Sequence, residues 1–459
     1  MTANRERTRE LSARRLVWPI SVAVLCFFLQ PCQFGYSKGL RPQDKAFLED
    51  LSHRCFLFFW EQADPRTGLV PDRALVAGLP VPGRRRYVAN IAATGFGLTA
   101  ICIGMEHHWI TKRQARARVL ATLNFLAYRA PEVHGWYYHW MDKRDGRRVM
   151  HSEISSIDTS LLLAGVLTVR EAFHRDRQIG RLAELIYRRV DFQWMLNGSP
   201  ILLSHGWLPE RGFLPRRWDS YCELMILYLL AIGSPTHPIP PRAWYAWRRP
   251  LVHFFGYTFV GDLPLFTQQY AQAWVDFQGR RDAAPSSIDY FQNSIAATLA
   301  NRAFCIHFSK TFPKSYSQNV WGITASDSPH GYTVWGEPSD VVVIDGTVVP
   351  CAPGGSLMFL PAICLRTLET MHQKFGNRIY GRYGFVDAFD PTTGWVDRDV
   401  IAIDTGITLL SAEDLYNGGV WRWFMRDRDV QRAMALAQIL PEGRLRRTLG
   451  QYYRRLSRP

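Results

Sequence analysis

Apolar residues recur at helical spacing along this chain from about residue 44 onward. Leu48, Leu51, Cys55 and Phe58 share one face, which predicts an amphipathic helix ending before Asp64-Pro65. Ile91–Trp109 is apolar almost all round and predicts a helix buried on several sides. Thr111–Tyr128 follows, with Thr111 as a cap, arginines on one face and Val119, Leu120, Leu123 and Leu126 on the other. The alternation then repeats. Ile157–Phe173 is apolar and Leu182–Trp194 amphipathic; Leu224–Ile232 is apolar, and a second-layer segment is expected after Pro241. Ser294–Ile306, Leu357–His372 and Ile407–Phe424 continue the series. Two alternating classes of helix, roughly twelve in all, predict two concentric layers, an all-α (α/α)6 toroid. No βαβ alternation and no Gly-rich loop after a strand supports a nucleotide fold.

Between these segments lie long stretches rich in Gly, Pro and Trp: Met195–Arg217, Phe312–Gly355 and Gly376–Ala402. Long loops on a rigid helical scaffold usually carry function. His134–Met150 alternates aromatic and polar residues around Asp145-Gly146, a hairpin signal. No low-complexity linker interrupts the pattern. The expected organisation is an export signal or anchor over residues 1–40, one catalytic-size domain over 44–440 and a basic tail over 441–459.

Charge changes this picture little. The net charge is +15. Residues 1–15 and 443–459 supply nine of those charges, and no Lys/Arg stripe with a nucleic-acid motif occurs between them, which argues against nucleic acid as a partner. Five arginines precede Leu16–Leu29, a 14-residue apolar run too short for an ordinary span. That combination reads as an export signal, so a periplasmic or secreted location is expected, with membrane contact only through this segment if it stays uncleaved. The eight cysteines show no C-x-x-C pair and no companion His spacing, so neither metal nor cofactor is expected. Aromatic content, at 13% with 16 Trp, fits an apolar surface that also hydrogen-bonds, such as a sugar cleft.

Chemistry concentrates where loops meet buried helices. In Gly206–Pro241 a Trp-, Pro- and Arg-rich loop turns through Trp218-Asp219-Ser220 into an uncharged apolar run, with Glu223 at the join. Ser155-x-x-Asp158 and Ser220-x-x-Glu223 both resemble capping boxes, and Asp404 suits an N-cap, so each acid has a purely structural reading. Parallel inner helices would bring their N-termini to one mouth. There Trp136, Tyr137, Trp140, Trp207, Trp218, Tyr221, Trp321, Trp335 and Trp395 would supply sugar-binding faces, with Glu153, Asp158, Asp289 and Glu337 as further acids. Paired carboxylates in an aromatic funnel suit glycoside hydrolysis. Glu223, beside apolar residues, is the expected proton donor, and Asp404 the expected base.

These stretches resemble the bacterial glucoamylase-like domain family, whose characterised relatives include endo-β-1,2-glucanases. IAATGFGLTAICIG (Ile91–Gly104), SEISSIDTSLLLAG (Ser152–Gly165), GWLPERGFLPRRWDSYCELMILYLLAIGSPTHPIPP and IDTGITLL carry the resemblance, which extends over roughly residues 45–430. It implies an (α/α)6 barrel with a glycosidase-type site at one end, and acids at Glu153, Asp158, Glu223 and Asp404. The family more often reads Asp-Gln-Gly-Pro where this chain has Asp404-Thr405-Gly406-Ile407. A glucan, β-1,2-linked by analogy with those relatives, is the implied substrate. A glycan-binding protein without catalysis, and lyase or transglycosylase chemistry, are the alternatives.

Overall fold

In the computed structural model, residues 40–283, 285–336 and 343–441 are described. Thirteen α-helices form among them: α1 (Pro42–Gln62), α2 (Ile91–Glu106), α3 (Lys112–Tyr128), α4 (Ser156–Ala172), α5 (Arg177–Arg189), α6 (Met225–Ile232), α7 (Phe266–Gln269), α8 (Tyr290–His307), α9 (Cys351–Gly354), α10 (Pro361–Phe375), α11 (Ala402–Asn417), α12 (Gly419–Phe424) and α13 (Arg428–Leu436). The fold is all-α, a toroid of inner and outer helices, and every described strand is four residues or shorter. All described residues fall in one compact unit. No described helix is long and apolar enough to cross a membrane.

The apolar pattern sorts the helices as expected. Ile91–Gly104 of α2 is buried throughout, whereas α5 buries one face through Ile179, Leu182, Ala183, Ile186 and Tyr187. Inner helices α2 and α4 pack backbone to backbone: a Cβ on Gly165 would lie 2.2 Å from Gly95 O, and one on Gly95 would lie 2.1 Å from Leu161 O. Only glycine permits that approach.

Two expectations need correction. The segment after Pro241 is no outer helix but a short 3₁₀ turn, Pro241–Tyr245, and an antiparallel hairpin pairing Leu251–Phe254 with Tyr257–Val260. Pro240, Pro241 and Pro250 break helical continuity there. Phe255 and Gly256, both at positive φ, make the turn. The apolar Ile407–Phe424 pattern spans two helices, because Gly418 adopts φ 67 and ends α11.

Inside the ring, Phe96 packs on Trp274 with centroids 4.7 Å apart, and Trp274 Nε1 donates to Thr99 Oγ1 at 3.1 Å. Beyond α11, the short α12 packs against α2, α4 and α11. Its Trp421 Nε1 donates to Gln272 O at 2.7 Å. Helix α12 therefore lies on the side where inner helices end, and the open end is the one where they begin.

Candidate active site

The starts of the inner helices converge on one cavity of about 550 Å³. Asn90 and Ala92 come from the start of α2, Ile157, Asp158 and Leu161 from α4, Phe266 from α7 with Tyr270 just after it, and Ile401 and Ile403 from the start of α11. Glu223 enters from the turn before α6. The volume lies within the ~300–1000 Å³ usual for small-molecule sites.

Capping explains some of these placements and not others. Ser155 caps α4: its Oγ accepts the Asp158 N–H at 3.2 Å while its hydroxyl donates to Asp158 Oδ2. The box expected around Ser220 and Glu223 does not form. Helix α6 begins only at Met225, with Leu224 as an uncapped N-cap. Glu223 is thus outside the helix, half-buried, with its carboxyl opening onto the cavity. Burial pushes this carboxyl up to about 7, against hydrogen bonds to its own backbone and Cys222, and the negative charge of Asp158 adds to the rise. An acid in that position holds its proton near neutral pH.

Asp404 lies elsewhere. It is the third residue of α11, not its cap, and it lines a separate void of about 20 Å³ with Asp387, Cys351 and Thr405. Burial raises it to about 6, offset by hydrogen bonding with Asp387 and Cys351. Burial, then the charge of Asp404, pushes Asp387 well above the usual carboxylate range. Asp404 Oδ2 and Asp387 Oδ1 have no donor among their neighbours. One proton held between the two carboxyls accounts for both atoms, as two adjacent buried carboxylates cannot both ionise.

His139 bridges two acids, with Nδ1 2.9 Å from Glu153 Oε1 and Nε2 3.7 Å from Asp158 Oδ2. Burial lowers its affinity for a proton, but the charges of Asp158 and Glu153 outweigh burial and raise it overall. Glu153 is lowered: its His139 partner overcomes the rise that burial alone would cause.

Two clusters bring potential metal-ligating atoms together, His139–Glu153–Asp158 and Asp327–Asp397–Asp399. In the first, each imidazole nitrogen already faces a carboxylate. In the second, the Arg73 guanidinium supplies the positive charge, bonding Asp327 and, at 3.3 Å, Asp399. Asp397 Oδ2 has no partner there, and burial raises its carboxyl to about 6.

Most aromatic expectations fail on position. Trp140 alone of the nine lines the cavity. Trp136 and Tyr137 are core residues that donate to Asp191 O and Leu126 O. Trp218 stacks on His205 at 3.9 Å and donates to Ser156 Oγ, while Tyr221 donates to Gln268 Oε1. Trp321 is buried, and Trp335 donates to Ser326 Oγ. Trp207 packs on Trp194, and Trp395 sits in a two-residue strand paired with Asp390. These rings build the loops that frame the cavity; they do not face it. Asp289 likewise caps α8, accepting from Gln292 N, and does not line the cavity. Glu337 lies outside the described residues.

Sequence reasoning missed His139, Asp72, Arg73, Phe266, Tyr270 and Tyr332, all on the cavity wall. The signal available for His139 was its place between Tyr138 and Trp140, directly beside a ring that the sequence did single out. Tyr332 is half exposed at the rim.

Comparison with known proteins agrees with the fold. The glucoamylase-like family described as "Putative glucoamylase" matches residues 215–428, which include Glu223 and Asp404. A Parabacteroides distasonis protein, named exo β-1,2-glucooligosaccharide sophorohydrolase (non-reducing end), is 26% identical over 86% of this chain. This chain spans 58% of that relative's length. The structure of an endo-β-1,2-glucanase from Chitinophaga pinensis, in complex with sophorotriose and glucose, is 27% identical with a TM-score of 0.80, covering 86% of this chain and 98% of that one. A β-1,2-glucanase structure from Parabacteroides distasonis is 25% identical with a TM-score of 0.78, covering 86% of this chain and 60% of that one. The resemblance to the glucoamylase-like family is borne out.

Proposed function

We propose that this chain is a glycoside hydrolase that cleaves a β-1,2-linked glucan, with Glu223 as the proton donor. The observation that carries this is a carboxyl held near 7 by burial on the wall of a 550 Å³ cavity. A general acid works best when its pKa lies near the operating pH. The names of the Parabacteroides and Chitinophaga relatives, all referring to β-1,2-glucan or its oligosaccharides, support that linkage.

Hydrolysis needs a second carboxylate to activate water or attack the sugar. Asp158 suits that role because it faces the cavity beside Glu223. Asp404, the base expected from sequence, shares its proton with Asp387 behind the wall and is the second candidate. The Thr405 and Ile407 departure gives little support to a binding-only protein: Ile407 is buried, and Thr405 lines the small void rather than the main cavity. The Arg-rich start and apolar run of the sequence support export.

The test is purified enzyme on linear β-1,2-glucan, with products resolved by chromatography. Glu223→Gln is expected to lose at least ~100-fold in kcat, as removal of a general acid does. Asp158→Asn should fall as far, and Asp404→Asn less. Full activity in Glu223→Gln removes it as donor, and a deeper loss in Asp404→Asn than in Asp158→Asn reassigns the base.

A further inference from the structure

His139 is held more firmly than a side chain that only touches substrate needs to be. Its backbone N–H donates to Glu153 O at 2.9 Å, and its ring Nδ1 meets Glu153 Oε1 at 2.9 Å. Trp140 covers one ring face, stacked with centroids 4.2 Å apart and planes 18° apart. The remaining nitrogen, Nε2, faces Asp158 Oδ2 at 3.7 Å.

Glu153 is fixed in turn by its own loop. Arg148 donates to the carbonyls of Ser152 and His151. The Ser152 hydroxyl accepts from Trp140 N at 3.2 Å and donates to Trp140 O at 3.1 Å. Met150 and His151 are both left-handed, with φ 56 and 49, a conformation that persists in non-glycine residues only where the surroundings impose it. Strain of this kind gathers beside functional sites, and Met150 is on the cavity rim.

We infer that Glu153, His139 and Asp158 act as one unit, in which Glu153 fixes the imidazole and the imidazole, together with the Ser155 hydroxyl on the same oxygen, aims the Asp158 carboxylate into the cavity. Asp158 is the member that meets the reacting atoms. Glu153, which is not on the cavity wall, and His139 are positioning residues. The unit alternates in sign as carboxylate, imidazolium, carboxylate. Asp158 keeps a cation at its back while its own charge acts on Glu223. The charged groups facing His139 are Asp158, Glu153 and Asp72, and Arg148 faces Glu153. The three carboxylates raise the imidazole against its burial, so the unit is intact below that raised value and above the lowered Glu153 value, and is lost as pH rises through the first or falls through the second. This rests on the hydrolase reading for its catalytic consequence, but its geometry can be tested without any substrate.

The kinetic arm compares His139→Gln, Glu153→Ala and Glu153→Gln with the parent full-length chain on β-1,2-glucan. His139→Gln and Glu153→Ala are expected to lose about 10- to 100-fold in kcat with KM little changed, as when an orienting partner is removed. Glu153→Gln, which still accepts from Nδ1, should regain much of the loss. The acid limb of the kcat profile should move to higher pH in His139→Gln. Unchanged kcat and limb in both truncated variants overturns the proposal. So does a loss in Glu153→Gln as deep as in Glu223→Gln, because Glu153 would then be a reacting carboxylate.

The second arm follows the His139 ring by NMR during a pH titration of the parent chain and Glu153→Gln. His139 is expected to titrate above the ordinary histidine range in the parent and lower in the variant. Ordinary or depressed titration in the parent overturns the unit. If this arm succeeds while β-1,2-glucan is not cleaved, the substrate reading fails and the unit stands.

Discussion

Glu223 illustrates how one buried carboxyl ties activity to stability. Its folded value of about 7 lies above the 4.5 of an exposed glutamate. The folded state therefore binds more protons than the unfolded chain between those values, and stability falls as pH rises through that window. Turnover that needs the protonated form should fall over the upper part of the same range. Glu223→Gln, having no charge to bury, should melt at about the parent temperature at pH 4 and ~2–4 °C above it at pH 8. Calorimetry at the two values checks this, and equal melting temperatures at pH 8 would show that the burial cost is absent. Sequence made Glu223 visible because an acid interrupts an uncharged run. It could not reveal that Asp404 meets Asp387, since one lies in α11 and the other in the loop before it, and only the folded chain closes the void between them. The aromatic choices failed for a related reason. Composition counts Trp rings, but whether a ring faces sugar or core depends on where its N–H finds an acceptor, and Trp136 and Trp218 found theirs inside the protein.

At the scale of helices, the two-layer alternation was legible because burial on all sides and burial on one side leave different patterns. The segment after Pro241 was not, since nothing there separates a short amphipathic helix from a hairpin except its prolines and the Phe255-Gly256 turn. The contact between α2 and α4 gives a prediction in which two effects oppose each other. Helix propensity favours alanine over glycine by ~1 kcal/mol. At position 165, however, a Cβ would meet the Gly95 carbonyl at 2.2 Å, which forces the two helices apart. Gly165→Ala should therefore destabilise by about 1–3 kcal/mol, the usual cost of overpacking. Chemical denaturation measures it, and a stabilised variant would mean that the helices separate without penalty. Because α2 and α4 both open onto the cavity, their separation should also raise KM.

Across the whole molecule, the end opposite the cavity carries its own tether. Arg170, in the last turn of α4, is buried and pairs with Asp427, Asp429 and Glu184. Asp427 and Asp429 are buried too, so removing the guanidinium leaves two carboxylates without their main compensation. Arg170→Ala is expected to cost about 3–5 kcal/mol. Its distance from Asp158 along the helix is about 18 Å. The kcat per folded molecule should therefore hold near the parent value while the melting temperature drops, and a kcat that falls in step would show that the two ends communicate.

If the chain cleaves a glucan as proposed, the packing of α12 bears on the order in which sugars come and go. On the hydrolase reading, with α12 packed behind the cavity, a cleaved unit lodged at the bottom would back out past the place where the rest of the polymer was held. The polymer has to let go first. Catalysis on long chains should then be distributive, with a spread of intermediate lengths from early in the reaction, and short products should compete with polymer for the same opening. Chromatography of early time points, with and without added oligosaccharide, would show both effects; an early time course of one short product beside uncut polymer would instead require a second exit.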